Sequence, residues 1–327
     1  METRRLGRTG REVGVVGLGC WQLGGDWGTV PESDALATLD AAVESGVTFL
    51  DTADVYGDGR SERLVGRYLA AHPDAGLTVA TKMGRRADPH VAELYTEENF
   101  RAWNDRSRAN LGTDTLDLVQ LHCPPTPVYS RDEVYDALDR MVAEERIAAY
   151  GVSVETVDEA LTAIARPGVA TVQIVLNAFR QKPLDAVLPA AREAGAGIIA
   201  RVPLASGLLS GRYTEATEFP ADDHRTYNRH GEAFDVGETF GGVDFATGVA
   251  AARELPEPPE GATRAQAALR WVIDQPGVST VIPGARNPEQ ARANAAAAAL
   301  PPLGPDATRK IRDIYDARIR SQVHHRW

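Results

Sequence analysis

The stretch TFLDTADVYGDG, residues 48–59, decides the fold, because it is a short apolar run that ends on polar residues. Two later stretches have the same form, LTVATKMG at residues 77–84 and LDLVQLHCP at residues 116–124. Short runs rich in leucine and β-branched residues are typical of buried parallel strands. Three successive strands that each end on an ionisable residue indicate a barrel whose C-terminal rim is the catalytic face.

The ionisable residues of these stretches, Asp51, Tyr56, Lys82 and His122, form a chemically consistent set. A tyrosine can protonate an oxygen, although its ordinary pKa of about 10 is high for work at neutral pH. A nearby ammonium lowers that pKa, a carboxylate can hold the ammonium in place, and a histidine can orient a carbonyl. Each residue alone also fits a structural role, such as a turn cap or a strand end. Their recurrence at successive strand ends favours catalysis.

The bulk composition is that of an ordinary soluble enzyme. The 327 residues suit one large domain, 1–327, with 43% hydrophobic and 25% charged residues. A net charge of −11 argues against binding to nucleic acid or to an acidic membrane surface, and it identifies no other partner. The negative charge is therefore interpreted as that of an acidic, solvent-exposed surface. The oligomeric state is left open.

The sequence predicts a cytoplasmic protein. The opening METRRLGRTG has no apolar segment of the kind found in signal peptides, and no run approaches the ~20 apolar residues that span a bilayer. Cys20 and Cys123 are too few for a disulfide framework and fit a reducing compartment, where we expect them to act as small buried hydrophobic residues.

Strand-like and helical patterns alternate along the chain after an opening β-hairpin around residues 9–10. ESDALATLDAAVES and RDEVYDALDRMVAEER carry apolar residues three and four apart, as helices do. The pattern predicts a (β/α)8 barrel; a doubly wound sheet is the alternative, disfavoured because the first strand lacks a GxGxxG turn. The eight predicted strands are VGVVGLG, VTFLDTAD, LTVATKM, LDLVQLH, AAYGVSV, TVQIVLN, GIIARVP and STVIPGA.

One interval, residues 204–261, interrupts this alternation with a composition rich in Gly, Pro, Asp, Thr and Phe. It follows the seventh strand and so lies on the predicted catalytic rim. Long connections within compact domains are usually functional or disordered. A short helix is expected within it at FATGVAAAREL.

The motifs together resemble the aldo-keto reductases. LDTADVYGDGRSERLVGRYL is similar to that family's signature, TKMG to its catalytic-lysine strand and DLVQLHCP to its catalytic-histidine strand, and GLGCWQLGG, GVS, PLASGLLSGRY and IPGAR continue the match in order. The resemblance implies a TIM barrel closed at the bottom by the N-terminal hairpin. It also implies hydride transfer between a nicotinamide and a carbonyl or alcohol carbon. Tyr56 would be the general acid/base, assisted by Lys82, Asp51 and His122, with no metal.

The same resemblance assigns residues to the nicotinamide and diphosphate. Ser153 and Gln173 match the carboxamide-binding positions, but Val154 stands where the family often has asparagine. Arg201 stands where the family commonly has a stacking aromatic residue, and a planar guanidinium can also stack on a ring. The remaining positions expected around these parts of the cofactor are Cys20, Trp21, Pro203, Leu204, Ser206, Gly207, Leu208 and Arg212.

The adenosine end is assigned to the segment IPGARNPEQARAN. Asn287 and Pro288 predict a helix N-terminus, which is a natural anion site. The resemblance places the 2′-phosphate and adenine near this helix and favours NADP (NADPH), with NAD possible because Gly284 and Gln290 replace basic residues of other branches. The residues implied are Ile282, Gly284, Arg286, Gln290 and Asn294.

The substrate is expected to be a small carbonyl compound in a pocket shaped by Trp21, Trp103 and the rim loops. Its identity as aldehyde, ketone or sugar is not readable from the sequence. Two alternatives stay open: a cofactor-binding regulatory subunit of a membrane channel, and a dehydrogenase that oxidises a sugar or alcohol in the cell.

Overall fold

The computed structural model describes residues 1–25 and 30–327, and its strands follow the predicted order. Most strands are short, and those of the sheet interior are buried on both faces, as in other parallel sheets. The strands are β1 (Thr3–Arg5), β2 (Glu12–Gly14), β3 (Leu18–Gly19), β4 (Phe49–Asp51), β5 (Thr78–Met83), β6 (Leu118–His122), β7 (Tyr150–Ser153), β8 (Val169–Val175), β9 (Gly197–Arg201) and β10 (Val278–Val281).

Strands β3 to β10 form one parallel sheet in chain order. The sheet closes on itself through parallel bridges from Val16 to Val281 and from Gly19 to Gly284, with the Gly17 N–H donating to the Val281 carbonyl at 2.9 Å. Neighbouring strands in register bring their C-terminal ends to one rim. The predicted (β/α)8 barrel is confirmed.

The N-terminal hairpin is also confirmed, with β1 and β2 antiparallel and Arg5 opposite Glu12. The sequence predicts VGVVGLG, residues 13–19, as one strand. In the structure its first two residues end β2 at Gly14, and its last two form β3 in the barrel. Leu6 and Val13 of the hairpin are fully buried against residues of the barrel interior. The hairpin therefore closes the N-terminal end of the barrel.

The helices cover the outside of the sheet. Several begin at side-chain caps, such as the capping box of Thr156 and Glu159 and the Asn287 cap predicted above. In the part of the chain described, no helix is long and apolar enough to cross a bilayer. The helices are α1 (Trp21–Gly24), α2 (Glu32–Glu44), α3 (Arg60–Ala71), α4 (Glu97–Leu111), α5 (Asp132–Ala143), α6 (Val157–Ile164), α7 (Val187–Ala194), α8 (His224–Tyr227), α9 (Phe245–Glu254), α10 (Arg264–Ile273), α11 (Pro288–Ala296), α12 (Pro305–Ile314) and α13 (Arg320–Val323).

The long segment between β9 and α10 is ordered by its own aromatic cluster. The rings of Phe240 and Phe245 lie 4.9 Å apart, and those of Tyr213 and Phe219 lie 5.2 Å apart. It contains α8, α9 and short 3-10 turns, and α9 is the helix expected at FATGVAAAREL. The segment packs over the C-terminal rim and carries Glu238 into it.

Candidate active site

The C-terminal rim brings together the four residues that the sequence singles out. Asp51 ends β4 and His122 ends β6, while Lys82 is the penultimate residue of β5. Tyr56 lies in the turn that follows β4. Along the register, Asp51 lies beside Ala80 and Lys82 beside Gln120, so Lys82 and then His122 are each two residues further toward the rim. The side chains nevertheless meet: Lys82 contacts both Asp51 and Tyr56, and the His122 ring lies against that of Tyr56.

Lys82 is the centre of the group. Its Nζ lies 2.5 Å from Oδ1 of Asp51, 2.9 Å from the carbonyl oxygen of Thr52 and 3.2 Å from the phenolic oxygen of Tyr56. The Lys82 and Asp51 side chains are 1% and 3% exposed, so this pair is shielded from solvent. Three acceptors around one ammonium fix its direction toward Tyr56.

The second oxygen of Asp51 is held by two amides. Gln173 donates from Nε2 to Oδ2 of Asp51 at 2.8 Å, and Gln120 donates to the same oxygen at 3.1 Å. The Gln173 amide N–H, which was expected to bind the nicotinamide carboxamide, therefore donates to Asp51. Gln173 also lines the cavity described below. Gln120 was missed in the sequence; its signal is its place two residues before His122, on the same face of β6.

The ionisation of Tyr56 reflects two opposing effects. Burial raises the pKa of the Tyr56 phenol above its ordinary value, and the Lys82 ammonium lowers it in part. For Lys82, burial alone would lower the pKa, but Asp51 and Tyr56 outweigh it and the pKa lies above the ordinary value. Lysine is therefore charged and tyrosine protonated at neutral pH, which is the pairing that a general acid needs.

His122 is neutral at this position. Burial, followed by the charges of Arg85, Lys82 and Arg201, holds the pKa of the imidazole well below its ordinary value. Its ring lies edge-on to Tyr56 with centroids 5.8 Å apart, and its Nε2 lies 3.4 Å from Nη1 of Arg85. A neutral imidazole can donate one hydrogen bond to a carbonyl oxygen.

Arg85, which contacts His122, forms a charged group with Glu155, Arg201 and Glu238, and we call these four residues the charge ring. Arg85 Nη2 lies 2.8 Å from Oε1 of Glu238 and 3.7 Å from Oε1 of Glu155. Arg201 Nη2 lies 2.8 Å from Oε2 of Glu155, and its Nη1 lies 3.8 Å from Oε2 of Glu238. Two guanidinium groups and two carboxyl groups alternate, so the ring is electrically balanced when both carboxyl groups are ionised.

The two carboxyl groups of the charge ring titrate differently. Burial, reinforced by the nearby Glu238 carboxylate, raises the pKa of Glu155 to about 7. Burial opposes ionisation of Glu238 as well, but Arg85 and Arg201 outweigh it and lower the pKa to about 2. Cys123 Sγ lies within 4.8 Å of carboxylate oxygens of both glutamates, a grouping that could hold a metal. The two guanidinium groups already neutralise those carboxylates.

A cavity of about 430 Å³ opens beside the phenol of Tyr56 and runs along the rim to the N-terminus of α11. Trp21 forms one wall, with its ring 6.0 Å from the ring of Tyr56 and 5.7 Å from that of Phe234. Asp51 and Glu238 also line it, whereas Lys82 and His122 lie behind this surface. An elongated cavity that ends at a helix N-terminus suits a ligand with an anionic end.

Comparison with known proteins identifies the family. The family model described as the aldo/keto reductase family matches residues 15–316. The chain belongs to the aldo-keto reductase family. A curated aldo-keto reductase of Bacillus subtilis is 31% identical over 303 residues, which cover 90% of this chain and 87% of that protein.

Two solved structures show the same aldo-keto reductase barrel. The glycerol dehydrogenase of Gluconobacter oxydans is 28% identical, with a TM-score of 0.78 over 97% of this chain and 96% of that one. An aldo/keto reductase of Klebsiella pneumoniae, solved in complex with NADP and acetate, is 25% identical with a TM-score of 0.70 over 96% and 95% of the two chains.

Most positions expected to bind the cofactor lie on the cavity of this aldo-keto reductase. Two do not line it: Ser153 is buried beside Cys123, and Leu208 is buried in the core beneath Gly248. The expected positions that line the cavity are Cys20, Trp21, Gln173, Arg201, Pro203, Leu204, Ser206, Gly207, Arg212, Ile282, Gly284, Arg286, Gln290 and Asn294.

Arg201 differs most from its expected role. The sequence places it where it could stack on a nicotinamide, and the structure shows its guanidinium donating to Glu155 and to the Val154 carbonyl at 3.1 Å. Val154 thus contributes a backbone contact where the family often has an asparagine side chain. Arg201 still lines the cavity, and its buried Nε has no hydrogen-bond partner among residues 1–25 and 30–327.

The loop after β9 has a strained backbone next to the cavity. Val202, Ala205 and Ser206 all have positive φ, and Gly207 follows at φ +97. A Cβ at Gly207 would lie 2.2 Å from Oη of Tyr213, so only glycine fits. Strain of this kind persists where the surroundings enforce it, and Val202, Ser206 and Gly207 all line the cavity.

The structure at the far end of the cavity explains why Gly284 stands where other branches of the family have a lysine. A Cβ at Gly284 would lie 2.0 Å from Nε2 of Gln22, so the Gln22 side chain occupies the space that a lysine there would need. Asn294 donates to the Gly284 carbonyl at 3.1 Å, and the exposed Arg286 has its backbone N–H on Oε1 of Gln290 at 2.9 Å. Gln22 belongs to the cavity lining and was missed in the sequence.

Trp103 lies away from the position expected for it. It is on α4, where its ring contacts Tyr95 and Phe100 at centroid distances of 5.9 Å and 6.0 Å. Aromatic residues at helical spacing pack against their own helix and its neighbours more readily than they reach across a loop. Trp21 alone of the two tryptophans lines the cavity.

Proposed function

We propose that this aldo-keto reductase is an NADPH-dependent oxidoreductase that interconverts a small carbonyl compound and its alcohol. One observation supports the proposal above all: the Lys82 ammonium contacts both the Asp51 carboxylate and the Tyr56 phenol at the wall of the cavity. A bound nicotinamide supplies the hydride. Every other step is the work of the side chains described above.

In reduction, Tyr56 donates its phenolic proton to the carbonyl oxygen as negative charge develops there. Lys82 stabilises the phenolate that remains, and Asp51 keeps Lys82 directed at Tyr56. The neutral His122 donates its ring N–H to the same oxygen and orients the carbonyl. In oxidation the same groups act in reverse, with the Tyr56 phenolate accepting the alcohol proton.

The residues of the cavity fit a dinucleotide. Gln22 Oε1 and Arg201 Nε are buried cavity-lining atoms that lack hydrogen-bond partners in the described part of the chain, as expected where a ligand completes the set. Gly207 and Ser206 would approach a diphosphate, with Arg212 beside them. Arg286, at the N-terminus of α11, would meet a 2′-phosphate. The NADP complex of the Klebsiella relative supports the same choice.

The direction of the reaction in the cell and its compartment are part of the proposal. Relatives carry the names glycerol dehydrogenase and L-galactose dehydrogenase, so oxidation has to be assayed as well as reduction. Both cysteines are free and buried, which supports a reducing compartment such as the cytoplasm.

The test is a turnover assay in both directions. The purified protein is given NADPH with a panel of aldehydes, ketones and sugars, and NADP⁺ with the matching alcohols, while absorbance of the reduced nicotinamide is followed. We expect turnover of at least one carbonyl. Tight cofactor binding with no turnover in either direction would contradict the proposal and favour a cofactor-binding regulatory role.

A further inference from the structure

A second cavity, of about 510 Å³, lies at the end of the barrel opposite the proposed active site. Its walls are the N-terminal hairpin, the end of α7 and the connection from α10 to β10, and the last two lead into the N-terminal ends of β9 and β10. The positive charge gathered here contrasts with the net charge of −11 for the whole chain, so the cavity is a candidate site for an anion. The charged residues that line it are Arg4, Arg5, Arg8, Arg192 and Asp274.

Two of these arginines are already engaged by the barrel. Arg4 Nη1 donates to the carbonyl oxygens of Ile273 at 2.8 Å and Val278 at 2.9 Å, and Arg8 donates to the carbonyl oxygen of Ala194. Ile273 and Ala194 are the last residues of α10 and α7, where helix carbonyls carry partial negative charge. The two guanidinium groups offset that charge, so the helix ends do not repel an anion in the cavity.

The carboxylates near the cavity are paired or lie outside it. Asp274, the one acidic residue among the described residues that line the cavity, lies 2.6 Å from Nη2 of Arg270. Glu2 lies 2.8 Å from one of the two engaged arginines. Glu12 is opposite Arg5 in the hairpin, but it is exposed and does not line the cavity. An anion in the cavity therefore meets an excess of positive charge.

Arg5 and Arg192 provide that excess from two different walls of the cavity. Both residues are exposed, and within residues 1–25 and 30–327 neither forms an ion pair or a side-chain hydrogen bond. The stem of Arg192 is nevertheless packed, because a Cβ at Gly277 would lie 2.9 Å from its Cγ. A planar guanidinium group can bind phosphate oxygens through two parallel hydrogen bonds. These two side chains can therefore bind a phosphate group.

Ser279 adds a buried hydroxyl to the same cavity. The residue is 6% exposed, and its hydroxyl forms no hydrogen bond in the described part of the chain. The register between β10 and β9 shifts between Val278 and Thr280, which places Ser279 at a β-bulge. Bulges redirect side chains, and a buried polar group without a partner is expected where a ligand completes its hydrogen bonding. This hydroxyl indicates a ligand independently of the arginines.

The size of the cavity favours a small molecule over a macromolecule. Its volume of about 510 Å³ lies within the range of about 300–1,000 Å³ that is typical of small-molecule sites. A nucleic acid would extend beyond the cavity onto the surface of a chain whose net charge is −11, where its phosphates would be repelled. A small phosphorylated molecule has the charge and the oxygen acceptors that the cavity matches.

We propose that this cavity is a binding site for a small phosphorylated molecule. Arg5 and Arg192 bind the phosphate oxygens, and Ser279 donates its hydroxyl to the same ligand. Because the site joins the hairpin, α7 and the connection from α10 to β10, a bound ligand stabilises the closed N-terminal end of the barrel. The proposal uses none of the residues of the catalytic rim, so it does not depend on the proposed reductase function.

The experiment is calorimetric titration of the protein with inorganic pyrophosphate. We expect binding that is weakened about tenfold or more by Arg5→Gln or Arg192→Gln, and by a smaller factor by Ser279→Ala. Arg253→Gln is the matched control, because that exposed arginine of α9 is unpaired within the described residues and lies outside the cavity. Arg212→Gln tests whether pyrophosphate binds in the cofactor cavity instead.

Melting temperatures without pyrophosphate show that each variant is folded, and the two exposed, unpaired arginines should be replaceable without loss of stability. No binding at millimolar pyrophosphate, or unchanged affinity in Arg5→Gln and Arg192→Gln, would overturn the proposal. An equal loss in Arg253→Gln would show attraction by overall charge alone, and a loss confined to Arg212→Gln would assign the ion to the cofactor cavity. Tighter binding of a single-stranded oligonucleotide than of pyrophosphate would also contradict a small-molecule site.

Discussion

The Lys82 ammonium lies 3.2 Å from the phenolic oxygen of Tyr56, on a lysine that is almost completely shielded from solvent. At that distance and in that environment, the charge of Lys82 acts on the tyrosine with little screening by water. Burial alone would make the phenol a poor proton donor and would leave little phenolate to accept a proton in oxidation. The lysine partly offsets that effect, so the pair works as a unit.

Lys82→Met should reduce turnover by on the order of 10²-fold or more, because the variant loses the charge that stabilises the tyrosinate. The pKa of Tyr56 should rise further, so the alkaline limb of the pH–rate profile for reduction should move to higher pH. The profile of residual activity is the measurement. An unchanged profile would mean that Lys82 has a structural role only.

A control separates stability from chemistry in this experiment. Lys82→Met leaves Asp51 buried without its cation, which costs about 3–5 kcal/mol of unfolding free energy. Adding Asp51→Asn removes the uncompensated charge and should restore much of the stability while activity stays low. If the double variant regained activity, the loss in the single variant would have been one of folding.

Arg286→Ala should weaken NADPH binding about tenfold or more and leave NADH binding nearly unchanged, because only NADPH carries the 2′-phosphate. The N-terminus of α11 would still attract the phosphate, so binding weakens and does not vanish. Fluorescence titration gives both dissociation constants. Arg292→Ala is the control, since that arginine of α11 faces Glu44 instead. Equal losses for the two cofactors would remove Arg286 from phosphate recognition.

Asp54 makes the protein less stable as the pH rises. Its side chain is 0% exposed, and neither carboxyl oxygen has a hydrogen-bond partner within the described residues. Burial, and then the nearby Glu62 carboxylate, raise the pKa of Asp54 to about 8. The folded state thus holds a proton that the unfolded state has lost, and this stabilisation, complete below about pH 4, disappears as the pH rises toward 8.

Asp54→Asn, which imitates the protonated acid, should therefore raise the melting temperature more at pH 8 than at pH 5. The corresponding gain in unfolding free energy at pH 8 is about 1–3 kcal/mol. Asp58→Asn is the control: hydrogen bonding to Arg86 lowers the pKa of that exposed residue, so its loss should not stabilise the protein at pH 8. Equal melting shifts for Asp54→Asn at the two pH values would contradict the argument.

The barrel and the four-residue group were predictable because their signals are local. Each of Asp51, Lys82 and His122 lies at or near the end of an apolar run, and a parallel barrel brings such ends to one rim. The sequence did not reveal that the start of VGVVGLG belongs to the hairpin strand β2 and its end to the barrel strand β3. Nothing in this apolar run marks where the hairpin ends. That division depends on pairing with β1.

The charge ring was not predictable, because its members are distant in sequence. Arg85 and Glu238 are 153 positions apart, and neither lies in a strand. The reason for a glycine at position 284 could not be predicted either. Gln22, which occupies the space beside Gly284, is distant from it in sequence. Ser153 and Leu208 match family positions by order along the chain, yet neither lines the cavity, because order does not determine which face a side chain takes.

In the proposed mechanism, Tyr56 gives the proton in carbonyl reduction. The most direct measurement is single-turnover reduction by NADPH-loaded Tyr56→Phe protein, with the NADPH dissociation constant measured on the same sample. We predict a loss of about 10²-fold or more in the reduction rate with nearly unchanged NADPH affinity, because a phenyl ring keeps the packing and cannot donate a proton. A reduction rate close to that of the unmodified protein at matched NADPH occupancy would contradict the claim.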